Sequence, residues 1–257
     1  MIIKKIISSG QTGAERAALD VAIKLDIPYG GWIPKERSNS DDIIVEKYQL
    51  QEMPTAGYTD LAEKNVLESD AILIISNGEL TGGAEVSRKL ALISRRHLLH
   101  IDLYMTPALQ AVSIISSWLR LNKVEILYVT GPEAIKNSVI YHNTMYLLEN
   151  ALRVNFIKNI VDEFLDYQSS TTQIVDDVVN RMMSEMSLKQ KVSIANLKTR
   201  EIETLQYALD LYIGSRRETA RISDMEKTGF YRNEAYTNIV KTLWNKLQKT
   251  HKLRTVK

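Results

Sequence analysis

Apolar residues fall along this chain in two rhythms, and the change between them comes near residue 130. In the first part, short β-branched runs at 2–8, 71–76, 97–103 and 125–129 have the continuity of strands buried on both faces. Between them, apolar residues recur at helical spacing over about 13–25, 58–68, 83–95 and 107–121. Such alternation predicts a parallel sheet flanked by helices. Residues 30–34, Gly-Gly-Trp-Ile-Pro, read as one further short strand, closed by a proline that cannot donate to a ladder. Residues 35–47 then form a polar stretch too long and too charged for a plain connection, the kind of loop that carries function.

Past Gly131-Pro132 the strand rhythm stops. Val139, Tyr141, Met145, Leu148, Leu152, Phe156, Ile160 and Phe164 mark one long helix over about 138–167, and Ser169-Ser170-Thr171-Thr172 break it. Three more helices are expected at about 173–187, 199–215 and 233–249, the second opened by Thr199 as N-cap with acids close behind it. The pattern predicts an α/β domain over residues 1–155, an open parallel sheet flanked by helices, and a small all-helical domain over 156–257.

Composition narrows the chemistry. The 257 residues are 44% hydrophobic and 25% charged, as in ordinary globular proteins. The absence of cysteine excludes disulfides, thiolate metal sites and a cysteine nucleophile. The histidines, at 97, 100, 142 and 251, include no pair at metal-ligand spacing within a helix, so no metal ligands are assigned. The chain enters its first strand directly after Met1, without a signal-peptide pattern, and no apolar run approaches the ~18 residues of a membrane span. A cytoplasmic protein is expected. Residues 1–155 carry 16 basic and 18 acidic side chains and residues 156–257 carry 17 and 13. The last thirty residues are the most basic, with Glu234 their one acid. A solvated helix face accounts for that tail better than a nucleic-acid surface, because it offers no stacking platform.

Two glycine turns carry the candidate chemistry. Gly10-Gln11-Thr12-Gly13 joins the first strand to the first helix, and Thr81-Gly82-Gly83 joins the 71–76 strand to its own helix. A strand, a glycine turn and a helix N-terminus together aim backbone N–H groups at one point with the positive dipole end behind them, an arrangement that attracts phosphate. In a parallel sheet both turns emerge at the carboxyl edge, and they share a crevice if their strands are neighbours. Neither is a nucleotide-hydrolysing motif: Gly-x-x-x-x-Gly-Lys-Ser/Thr and Gly-x-Gly-x-x-Gly are both absent. Arg16 is either a cation behind the first turn or a surface partner of Glu15 or Asp20. Trp32 either stacks on a planar heterocycle or packs at a strand end, and Lys35 has the reach for a phosphate. Glu85 is either a general base or a complement to its helix dipole. Asp70 reads as a turn cap, and His97 and His100 as structural. No serine or threonine nucleophile with a partnered base is legible, so no catalytic residue is assigned.

Residues 5–20 (Lys-Ile-Ile-Ser-Ser-Gly-Gln-Thr-Gly-Ala-Glu-Arg-Ala-Ala-Leu-Asp), 27–35 (Ile-Pro-Tyr-Gly-Gly-Trp-Ile-Pro-Lys), 65–70 (Asn-Val-Leu-Glu-Ser-Asp) and 80–83 (Leu-Thr-Gly-Gly) resemble the molybdenum cofactor carrier family. That family is similar in turn to the lysine-decarboxylase-like and DNA-processing-protein-like nucleotide-binding proteins. The resemblance covers about residues 3–145. It implies a Rossmann-like domain, homo-oligomeric, that holds molybdenum cofactor (molybdopterin) or a related nucleotide without transforming it. The cofactor's own dithiolene binds the metal, so a carrier needs no cysteine. Carried over, the binding set is Gly10, Gln11, Thr12, Gly13, Arg16, Trp32, Lys35, Thr81, Gly82 and Gly83. Five positions depart from the family pattern: Ser9 for a glycine, Glu15 for an aspartate, Glu36 for a glycine, Ala84 for a threonine or serine, and Glu133 for an arginine. Each makes the pocket less welcoming to an anion, and Ser9 is expected to add a side chain beside the ligand. Residues 188–213 resemble a small helical module appended to assorted bacterial proteins, which implies assembly or contact with a partner such as a molybdoenzyme.

The reading is thus a binding protein for a small anionic ligand, with neither membrane nor nucleic acid as partner. The alternatives are a hydrolase of N-glycosidic bonds in nucleotides (phosphoribohydrolase-like) or a nucleotide sensor signalling through the helical domain. The hydrolase reading is weakened because Thr81-Gly82-Gly83-Ala84-Glu85 lacks the Gly-Thr and the spaced glutamate of Pro-Gly-Gly-x-Gly-Thr-x-x-Glu.

Overall fold

A computed structural model describes residues 3–34, 47–54, 57–132, 139–165, 171–215 and 225–252. Seven strands and nine helices lie within them, in the order β1 (Lys5–Ile7), α1 (Ala14–Leu25), β2 (Tyr29–Gly30), β3 (Trp32–Ile33), β4 (Gln51–Glu52), α2 (Tyr58–Leu67), β5 (Ala71–Ser76), α3 (Gly82–Ile93), β6 (His97–Asp102), α4 (Ala108–Leu121), β7 (Ile126–Thr130), α5 (Ile140–Leu165), α6 (Thr171–Glu185), α7 (Leu188–Ala195), α8 (Thr199–Ser215) and α9 (Met225–His251).

Five strands make one parallel sheet in the order β2-β1-β7-β5-β6, and β3 pairs with β4 apart from it. Strand alternation divides the core in two. Ile6, Leu73, Ile75, Leu127 and Val129 point to the side of α1, α4 and α5, while Ile7, Ile72, Ile74 and Tyr128 point to the side of α2 and α3. Connection handedness explains which helix lies where. The steps β1→β2 and β6→β7 run one way across the sheet and β5→β6 runs the other. Right-handed crossovers therefore put α1 and α4 on one face and α3 on the opposite one.

Two strand expectations need correction. Residues 30–34 are not one strand: Gly31 breaks them, at φ +144 with its Cα so close to β1 that a Cβ would lie 2.1 Å from Ser8 O. β2 then joins the main sheet and β3 turns away to β4. The 97–103 run is not buried on both faces either. β6 is an edge strand, and His97 and His100 are exposed.

The helix α5 leaves β7 and lies back over α1 and α4. It is covered nearly all round, as befits a central helix: Leu147, Leu148, Ala151, Leu152, Val154, Ile157, Ile160 and Val161 are all buried, and so are Thr144, Arg153, Asn155 and Lys158. One core cluster runs from Ile6 beneath the sheet to Leu247 in α9. The residue pattern singled out no separate helix at α7. It begins with a capping box, Ser187 accepting from the Gln190 N–H while Gln190 accepts from the Ser187 N–H, a signature legible in Ser-x-x-Gln.

Candidate functional site

The carboxyl edge of the sheet is organised around β7. Because β7 lies between β1 and β5, the strands that carry the glycine turns are not neighbours. The turns flank the end of β7, α1 leaving on one face and α3 on the other. A crevice where connections diverge is where open α/β sheets take ligands. Gly131, directly after β7, shows how closely these parts converge. A Cβ there would lie 2.3 Å from Ile75 O at the end of β5 and 2.8 Å from Ala14 Cβ at the start of α1.

At the first turn Gly10 (φ 69) and Gly13 (φ 99) take backbone conformations closed to most side chains. Glu15, buried at 2% exposure, folds back over this turn. It accepts the Gln11 N–H at 3.1 Å and the Thr130 hydroxyl at 2.8 Å. Part of the donor set that sequence reasoning assigned to a ligand is therefore already spent on the chain's own carboxylate. Among the described residues the N–H groups of Thr12, Gly13 and Ala14 meet no protein acceptor. Arg16 does not pair with Glu15 or Asp20 as one reading held. Its Nη2 donates to Gly10 O at 3.4 Å, and its buried Nε has no partner among the described residues.

The second turn is open. Thr81 and Gly82 are exposed, Gly82 has φ +59, and a Cβ on it would meet nothing within 4 Å. Among the described residues no carboxylate bonds the N–H groups of Thr81 to Gly83, although Asp102 accepts the Gly78 N–H at 2.8 Å at the base of the same loop. Glu85, the fourth residue of α3, instead takes Arg88 in a two-point ion pair at 2.7 and 2.8 Å. That guanidinium holds the Glu85 carboxyl down at about 2, which suits a fixed anion and not a general base at neutral pH. Ala84 sends its methyl into the apolar cluster with Ile7, Val66 and Tyr128. Asn77, at the root of this turn, escaped sequence reasoning. Its Oδ1 is buried with no partner among the described residues, and the only signal was an amide directly after a fully buried strand.

Beneath the crevice lies a buried polar network. Ser9, 1% exposed, accepts from Asn65 Nδ2 at 3.1 Å, so its side chain turns inward and does not stand beside a ligand as expected. Asn65 Oδ1 takes the Trp32 N–H, tying α2 to β1 and β3. Tyr128, fully buried, bonds Ser87, and burial beside the Glu15 charge pushes its phenol up to about 12. It is a hydrogen-bonding post, never a phenolate near neutrality.

The remaining candidates divide clearly. Trp32 is half-buried; its indole N–H donates to Glu68 at 2.9 Å and Lys64 sits over its ring, so its own chain occupies both its edge and its face. Asp20 accepts from the Tyr48 and Tyr141 hydroxyls, joining the segment before β4 to the start of α5. Asp70 lies at the opposite edge, where it accepts the Glu125 and Ile126 N–H groups. Ser76 Oγ lies 2.8 Å from His100 Nε2 but donates its proton to Gly78 O. The ring therefore does not serve it as a base, and partial desolvation lowers the His100 pKa. Lys35, Glu36 and Glu133 lie outside the described residues.

A family model for the circularly permutated YpsA SLOG family matches residues 6–152. The chain belongs to that family. A crystal structure described as "Putative molybdenum carrier protein" from Syntrophus aciditrophicus is 50% identical, at a TM-score of 0.55, over 58% of this chain and 94% of that one. Among curated proteins nothing matches. The family region ends inside α5, so α6 to α9 lie beyond it. Membership accounts for the Rossmann-like sheet, in which the strand latest in sequence, β7, takes the central place. Among the described residues no helix is long and apolar enough to cross a membrane, and no His/Asp/Glu cluster could hold a metal ion.

Proposed function

We propose that this protein is a non-catalytic carrier of molybdenum cofactor or a related phosphate-bearing, nucleotide-like ligand, held in the crevice at the end of β7. The observation that carries the reading is a pair of orphaned buried polar atoms, Arg16 Nε and Asn77 Oδ1, one at the root of each turn. An unsatisfied buried group costs roughly 1–3 kcal/mol, and a ligand bearing both acceptors and donors removes that cost. The residues fit such a group. Thr81, Gly82 and Gly83 offer an open anion seat at a helix N-terminus, Arg16 supplies a cation, and Gly10 to Gly13 let the ligand approach the backbone. The cargo brings its own sulfur for its metal. Trp32 and Lys35 belong to the proposed set from family likeness alone. The neighbouring structure's description as a molybdenum carrier supports the choice of cargo.

The carrier acts as a homo-oligomer in the cytoplasm. Residues 1–155 form its ligand-binding unit and residues 156–257 a helical unit that assembles it or meets a molybdoenzyme. Native mass spectrometry of the protein purified from a host that makes molybdenum cofactor tests the cargo. A pterin or nucleotide mass is expected to travel with the chain and to be lost in Gly82→Asp. That variant should fold, since its side chain enters open space at a φ aspartate tolerates. A chain that emerges bare from such a host contradicts the proposal.

A further inference from the structure

The two edges of the main sheet are treated differently. At one, β2 is only two residues long, set between Pro28 and Gly31, the usual way an edge is blunted. At the other, β6 runs six residues in unbroken register with β5, with neither proline nor lysine in it. Leu103 N–H donates inward to Ser76 O, so by strand alternation Leu98 and His100 present their N–H and C=O groups outward and Asp102 its N–H, the Asp102 C=O being taken by the Met105 and Thr106 N–H groups. Large apolar side chains stand uncovered at both ends of this edge. Ile93 (78% exposed), Leu92 and Leu121 lie near its start, and Met105 (80%) and Tyr104 follow its end.

We infer that β6 pairs antiparallel with β6 of a second copy of this chain, across a two-fold axis perpendicular to the sheet at Leu99, making one continuous ten-stranded sheet. Self-complementarity carries the inference. An antiparallel partner brings the start of one β6 against the end of the other, so Leu92, Ile93 and Leu121 of each copy meet Tyr104 and Met105 of its mate. Such a two-fold keeps each sheet face with its like and therefore pairs residues of equal parity. Centring on Leu99 sets Leu98 opposite His100 twice, bringing the outward N–H and C=O groups of both residues into the seam. Centring on His100 would instead set Leu98 against Asp102 and His100 against itself. The inference deepens the oligomer proposed above and is independent of the ligand.

Light scattering on the full chain, alongside a cross-linking variant, tests it. The chain mass is 29.3 kDa, and the expected particle is a dimer or an even multiple of it. The double variant Ile93→Glu/Met105→Glu should halve that mass with its circular dichroism intact, because both positions are exposed. Leu188→Glu, exposed on the helical unit, should leave the mass unchanged. The natural chain has no cysteine, so oxidised Leu99→Cys should link two chains across the axis while Leu188→Cys should not. A monomeric natural chain, a mass that answers to Leu188→Glu and not to the edge pair, or no Leu99→Cys cross-link would overturn the inference.

Discussion

At the α1 turn the nearest acid, Glu15, is the second residue of its helix and reaches back onto an orphan N–H. At the α3 turn the first acid of the helix, Glu85, is the fourth residue and meets Arg88 three residues on, while Asp102, from the end of β6, takes only the Gly78 N–H at the base of the loop. Two positions of offset decide the chemistry. Both acids lie in the first turn of their helices, but the one at the second position reaches back onto the Gln11 N–H of the glycine turn, whereas the one at the fourth finds an i,i+3 partner and leaves the N–H groups of Thr81 to Gly83 uncovered. One strand–turn–helix plan thus gives a turn partly closed by the protein's own carboxylate and a turn open to a ligand. A phosphate is expected at the second, and the ligand's less charged part near the first.

The comparison breaks most violently at Gly131, which lets β5, β7 and α1 close on one another. Gly131→Ala places a methyl against Ile75 O and Ala14. It should cost about 2–3 kcal/mol in urea unfolding by overpacking, while Gly82→Asn, in open space, should cost under about 1 kcal/mol. Next, Glu15→Ala strips the partner from the Gln11 N–H and the Thr130 hydroxyl, for a loss of about 1–3 kcal/mol. By the same change it should raise inorganic phosphate affinity at the α1 turn, readable by calorimetry. If phosphate binding is unmoved, Glu15 is not what closes that turn. Asn65→Leu should lose about 1–2 kcal/mol, since it leaves the Ser9 hydroxyl and the Trp32 N–H without their amide.

The smallest effect concerns Glu85. Its pKa is lowered to about 2, so the Arg88 pair contributes fully above the ordinary carboxylate value and is lost as pH falls through about 2. Arg88→Met should return the Glu85 titration, followed by NMR, to near the ordinary value of 4.5. Because the pair is solvent-exposed, unfolding at neutral pH should barely change.

The parts of the fold legible in the sequence are those where one local signal acts alone. The unbroken run 71–76 and the 199–215 helix came out at their observed bounds, because continuous burial and helical spacing are written in adjacent residues. The N-cap, however, is Lys198 and not Thr199: the Lys198 C=O accepts the Ile202 N–H and its own N–H goes to Glu201. What escaped depends on distant partners. Nothing near Ile126 says that β7 will insert between β1 and β5. The exposure of β6 follows from its place in the strand order, not from its leucines. Gly31 breaks a strand because Ser8 O lies where a Cβ would be. At the site, the glycine turns and Arg16 were visible as motifs, but the fold-back of Glu15 needed Thr130, 115 residues away. Asn77 became a candidate only once its carbonyl was seen buried and unpaired.

The most direct test of the central claim is a crystal of the full chain grown with a nucleoside monophosphate. The account predicts phosphate density against the N–H groups of Gly82 and Gly83 with the rest of the ligand reaching toward Arg16 and Asn77. Phosphate seated on Gln11 to Ala14 with Glu15 still in place, or ligand bound away from the end of β7, would contradict it.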